Sequence, residues 1–121
     1  MIDTVEVKKQ IEAAYKSRNF NAACSAIALV GKARKEKDQN LTDDLLMEAR
    51  ICMFWIAKYN EAIQNISMAL QAIMADPSEA TLSDLKTAKE EAIDLFDWDT
   101  IDPNLSHNVD TVIAVTEGMV A

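Results

Sequence analysis

One short pattern occurs twice in this chain, and each time it asks for the same local fold. Phe20-Asn21-Ala22-Ala23 leads to Ile27 and Val30, and Tyr59-Asn60-Glu61-Ala62 leads to Ile66 and Ala69. Each copy sets an aromatic residue first, Ala three places on, Ile seven places on and a small apolar residue ten places on. Those offsets return to one side of a helix with about 3.6 residues per turn. The pattern predicts the bend and inner face of a helical hairpin, used twice. Stacked hairpins offer surfaces to other chains more readily than they build active sites.

The rest of the chain favours helix as well. Only 2 Gly and 2 Pro occur among 121 residues, too few for the many turns of an all-β fold. Residues 1–121 are expected to form a single helical domain, long enough to bury a core. Ile51-Cys52-Met53-Phe54-Trp55-Ile56-Ala57, among the longest apolar stretches, is far too short to span a bilayer. The start, Met1-Ile2-Asp3, is polar and acidic and does not resemble a secretion signal. A cytoplasmic protein without a membrane partner is the expectation.

A first helix starts at Asp3, with Glu6 completing a capping box, and buries Val7, Ile11, Ala14 and Tyr15. After Lys16-Ser17-Arg18-Asn19, Asn21 caps a second helix whose inner face is Ala23, Ile27 and Val30. Gly31 lies within that pattern and marks either a close helix contact or a weakening of the helix. Thr42 caps a third helix, with Asp43 and Asp44 well placed at its positive end and Leu41 and Leu46 as a hydrophobic staple. Leu45, Leu46, Ala49, Cys52, Met53 and Ile56 give its inner face, widened by Phe54 and Trp55, so this helix is expected to be the most buried. A fourth helix is expected from about Asn60 to Met74, with Ala62, Ile63, Ile66, Ala69, Leu70 and Ile73 inward, and Asp76-Pro77 stops it. A fifth begins near Thr81, or else at Asp76-Pro77-Ser78-Glu79, with Leu82, Leu85, Ala88, Ala92, Ile93 and Phe96 inward. Asp97 to Asn104 reads as a loop. The β-branched segment after residue 105 is compatible with a strand or a helix. A helix with Val109, Val112, Ile113 and Thr116 inward is preferred, because a lone strand has nothing to pair with. Met47, Met53, Met68 and Met74 are expected to fill gaps in the core.

Tyr59-Asn60-Glu61-Ala62-Ile63, with Ala69-Leu70 and Asp76-Pro77 after it, resembles the second helix of a tetratricopeptide repeat. Phe20, Ala23, Ile27 and Val30 form the other copy, and together the two span about residues 5–77. The copies lie 39 residues apart, against a family period of about 34. The resemblance implies paired helices and a groove for a peptide or a partner helix. The peptide-gripping residues of the family match nothing in this chain, so none is carried over.

Chemistry is hard to find. His107 is the sole histidine, and Ser106 beside it in sequence does not make a triad, whose members must face one another in space. Gly31 and Gly118 cannot form a phosphate-cradling loop. Cys24 and Cys52 sit at apolar helical positions and read as reduced, buried thiols that approach one another if the hairpins stack. Two Cys and one His at no recognisable spacing do not make a metal site. Asp97, Asp99 and Asp102 fail as a calcium loop, since the sixth position is Asp102 where Gly is needed and the twelfth is Asn108 where Glu is needed. No cofactor, metal or enzymatic activity is expected.

Charge is the remaining signal. The net charge is −8. Residues 1–40 hold eight Lys and Arg against five acids, or +3, and residues 41–121 hold four against fifteen, or −11. The basic cluster Lys32, Arg34, Lys35 and Lys37 is interleaved with Glu36 and Asp38 and lacks aromatic platforms, so direct nucleic-acid binding is not expected. The densest acidic stretch holds Glu90, Glu91, Asp94, Asp97, Trp98, Asp99 and Asp102. These residues read as a patch for a protein partner with a basic surface. In the alternative, Phe96 and Trp98 complete the core and the acids are solvated around them.

The sequence thus predicts an all-α fold of five to six helices, packed as antiparallel hairpins in a small bundle or a short repeat-like array. The function expected is a non-enzymatic protein-binding module, an adaptor or regulatory subunit. Two alternatives stand beside it. One is an acidic inhibitor or nucleic-acid mimic acting on a nucleic-acid enzyme, such as a small phage-encoded protein. The other is a self-assembling structural subunit, a homo-oligomer joined head to tail through its positive and negative parts.

Overall fold

The computed structural model describes residues 1–120. They form α1 (Thr4–Lys16), α2 (Phe20–Lys35), α3 (Asp43–Ala75), α4 (Glu79–Leu95) and α5 (Pro103–Val120), with a 3-10 turn at Trp98–Thr100 before α5. The fold is all-α, and no strand occurs among the described residues. Neighbouring helices pack in pairs, α1 on α2 and α4 on α5. Contacts cluster into two compact units, Met1–Lys58 and Tyr59–Ala121.

In the first unit, local chemistry fixes each helix end. Asp3 caps α1 by accepting the Glu6 N–H at 3.1 Å. The α1–α2 bend turns on Arg18, which holds a left-handed φ of 56°. Asn19 donates its N–H to the Ala14 carbonyl and Arg18 to the Tyr15 carbonyl, the paired bonds of a Schellman turn. The same turn ends α2, with Lys37 at φ 53° and bonds from Asp38 to Ala33 and from Lys37 to Arg34. Asn19 caps α2 through the Ala22 N–H at 3.0 Å. This corrects the expectation of Asn21, which lies in the first turn with its side chain exposed. Gly31 neither breaks α2 nor marks a close contact, since a Cβ built there meets nothing within 4 Å.

The core of this unit contains Val7, Ile11, Ala14, Ala23, Ala26, Val30, Leu45, Ala49, Cys52 and Trp55. Tyr15, expected inside, is half out of the core, with its ring edge-on to Trp55 at 5.9 Å. Lys8 ties α1 to the start of α3 through Asp44 at 2.6 Å, and this bond raises the Lys8 pKa above its ordinary value. Asp38 accepts the N–H groups of Asn40 (2.9 Å) and Ile2 (2.6 Å), which hold its carboxyl below the usual range. Both thiols are free. Burial pushes the pKa of each up, and Cys24 adds to the shift at Cys52, so neither is readily ionised.

The largest correction concerns α3. Two helices were expected with a bend near Tyr59, but α3 runs unbroken for 33 residues from Asp43 to Ala75. No Gly or Pro interrupts it, and Ala57, Lys58, Glu61 and Ala62 all favour helix. Its ends are chemical: Thr42 Oγ1 accepts the Leu45 N–H at 3.2 Å in front, and Pro77 follows behind. Tyr59 is therefore a buried mid-helix anchor in the second copy of the pattern, edge-on to Phe96 at 4.6 Å. Phe20 in the first copy does follow a bend. A second correction lies on the same helix. Met53, expected within the inner face, and Phe54, expected to widen it, are 55% and 69% exposed, and Met47, Met68 and Met74 are 62–69% exposed where core packing was expected.

The core of the second unit contains Tyr59, Ala62, Ile66, Ile73, Leu82, Leu85, Ala88, Ala92, Phe96, Ile101, Val109 and Thr116. Ser78 and Thr81 form a reciprocal capping box, so α4 begins at the earlier of its two legal starts. Ile93, expected inside, is 40% exposed. The segment after residue 105 is helical, and α5 begins at Pro103, where the missing N–H costs nothing. Asp102 prepares that start by accepting the Asn104 N–H at 2.9 Å.

Candidate functional site

The acidic residues singled out by sequence take different structural roles. Asp97 accepts the Asp99 N–H at 3.2 Å and opens the 3-10 turn. Asp102 opens α5. Trp98 is half-buried. Its indole N–H donates to Asp110 Oδ2 at 3.2 Å, and the Lys89 ammonium lies 5.0 Å from the ring centroid. Lys89 also binds Asp110 Oδ1 at 2.6 Å. Lys89, Trp98 and Asp110 thus form a cluster joining α4, the 3-10 turn and α5. Partial burial pushes the Asp110 pKa up, but the hydrogen bonds from Lys89 and Trp98 outweigh it and leave the carboxyl below its ordinary range. Sequence reading missed Lys89 and Asp110, which lie 21 residues apart on different helices.

Glu90, Glu91, Asp94 and Asp99 remain exposed. Glu90 and Asp94 stand one helical turn apart on α4, on the same side as Glu79, Ser83 and Lys86. That side opens onto a shallow groove of about 590 Å³, lined by Glu79, Ser83, Lys86, Glu90, Glu117 and Val120 among others. Lys86 reaches Glu117 across it at 3.2 Å.

Charge divides along the boundary between the units. The second holds two lysines and no arginine against twelve acids, a net of −10, and the first holds ten Lys and Arg against eight acids, a net of +2. Both lysines of the second unit are engaged by carboxylates of α5. Glu90, Glu91 and Asp94 are left without an ion pair among the described residues. Their position is unfavourable in isolation. Like charges one turn apart repel, and carboxylates near a helix C-terminus oppose the helix dipole, each by a few tenths of a kcal/mol. The last turn of α4 has no basic residue to offset this.

In the first unit, Met47, Ile51 and Phe54 form an exposed apolar row on α3. Beside it runs a groove of about 150 Å³ lined by Ile11, Glu12, Tyr15, Glu48, Ile51 and Cys52. Among the described residues no three His, Cys, Asp or Glu side chains are placed to share a metal ion, and no helix is long and apolar enough to cross a membrane. Set against family models, curated protein sequences and solved structures, the chain matches none.

Proposed function

We propose that this chain is a non-enzymatic protein-binding module that offers the acidic side of α4 to a basic protein surface. The observation that carries the reading is the disposition of charge in the second unit. Its two lysines are bound by Glu117 and Asp110, and Glu90, Glu91 and Asp94 face water without an ion pair among the described residues, Glu90 on the wall of an open groove. A cationic partner relieves both the mutual repulsion and the conflict with the helix end. Lys or Arg side chains entering the groove would meet Glu79 and Glu90 along its wall. The binding is electrostatic in origin, so it falls with salt.

The test is titration of the full chain with an oligo-arginine peptide, by calorimetry at low and high salt. Binding that weakens at least about tenfold in the Glu90→Gln, Glu91→Gln, Asp94→Asn triple variant supports the reading. Binding that ignores the triple variant removes it. The same row of carboxylates supports a second reading, the nucleic-acid mimic, in which they occupy a phosphate-binding channel. Competition between this chain and duplex DNA for a nucleic-acid enzyme distinguishes the two.

A further inference from the structure

The exposed row on α3 has an internal symmetry that the acidic surface does not share. Asp43, Met47, Ile51, Phe54 and Lys58 are spaced four, four, three and four residues apart, a rhythm that keeps them on one stripe of a helix. The stripe is acidic at its start, apolar through its middle and basic at its end. Asp43 lies seven residues before Arg50 and Lys58 seven after Ile51, while Met47 lies three before Arg50 and Phe54 three after Ile51. Two such stripes laid antiparallel about the Arg50–Ile51 midpoint bring each acid to a base. Met47 of one copy then meets Phe54 of the other.

We propose that this face of α3 pairs with the same face of a second copy, as an antiparallel, two-fold dimer. Three observations support a second copy as the occupant. The middle of the stripe is apolar and in water, with Phe54 69% and Met47 62% exposed. The Lys58 ammonium sits 5.8 Å from the Phe54 ring centroid, so charge and ring present themselves together to an incoming helix. The end charges match only when the two helices run in opposite directions, as an isologous interface requires. Arg50 lies at the margin of the seam near its own symmetry mate, where its stem covers apolar surface and its guanidinium stays in water. A seam this narrow buries less than the roughly 1,200–2,000 Å² of a stable interface, so the dimer is weak, with a Kd of about 10 µM to 1 mM.

Sedimentation equilibrium of the full chain, from about 10 µM to about 2 mM, tests it. The expected result is a reversible monomer–dimer equilibrium. Phe54→Glu should weaken it at least about tenfold, with unchanged helical circular dichroism because the side chain is outside the core. Asp43→Lys and Lys58→Glu should each weaken it about threefold or more, the double variant should recover most of the loss, and Arg50→Ala should tighten the pair. A chain that stays monomeric throughout overturns the proposal and leaves the face to a different partner. So does a dimer indifferent to Phe54→Glu, or a double charge swap no better than either single change.

Discussion

Lys89 and Asp110, on different helices, meet at 2.6 Å, and the same lysine lies over the ring of Trp98. The cluster fastens α4, the 3-10 turn and α5 at a half-exposed site, and it makes the stability of the second unit depend on pH. The Asp110 pKa in the folded chain is below its unfolded value. Its contribution is therefore fully present above the ordinary aspartate range near about 4, and it is lost as pH falls through the lower, folded value. Denaturant melts of the wild type and Asp110→Asn should converge as pH drops below about 4, with the wild type more stable above it. Melts that stay parallel across that range would remove the cluster as a source of stability.

Glycine is absent where the backbone of this chain favours it and present where it does not. Lys37 holds a left-handed φ in a Schellman turn, whereas Gly31 lies inside α2, more than a turn from its end, with open space where a Cβ would stand. Lys37→Gly should stabilise the chain by about 0.5–1 kcal/mol, and Gly31→Ala by a similar amount. Thermal unfolding of each variant checks the sign.

Removing the Ser78 hydroxyl should destabilise α4. Ser78 Oγ accepts the Thr81 N–H at 3.2 Å, and Thr81 Oγ1 accepts the Ser78 N–H at 3.0 Å. Ser78→Ala should cost about 1 kcal/mol, and faster amide exchange in the first turn of α4 would report it.

Two apolar side chains two residues apart on α3 should behave oppositely. Ile66 is fully buried and Met68 is 64% exposed. Ile66→Ala should cost about 2–5 kcal/mol and Met68→Ala less than about 0.5 kcal/mol, as read by chemical denaturation.

What sequence could and could not convey follows from these residues. Asp3, Thr42, Ser78 and Pro77 announce helix ends because their chemistry is local: a side-chain oxygen three residues from an orphan N–H, or a ring with no N–H to give. Leu82, Leu85, Ala88 and Ala92 announce a buried stripe because their spacing leaves one face apolar. Residues 51–57 carry no such information, since apolar residues there surround the helix, and periodicity alone does not say whether Cys52 and Trp55 or Met53 and Phe54 turn inward. The bend expected at Tyr59 fails for a related reason. An aromatic followed by Ala and Ile looks alike at the start of a helix and in its middle, and only a breaker distinguishes the two. On the acidic surface, Glu90, Glu91 and Asp94 were legible as charge. Their lack of counter-ions depends on where Lys86 and Lys89 reach, which only the packing of α5 on α4 decides.

The four thioethers of α3, Met47, Met53, Met68 and Met74, stand in water, while the thiol of Cys52 lies inside the first unit. A mild oxidant therefore reaches sulfur on the outside of this helix first. Conversion to sulfoxides would make that exterior polar and leave Leu45, Ile66 and Ile73 as they were. Oxidative damage to this protein would thus be recorded in what its surface can adhere to, well before it is recorded in whether the chain stays folded.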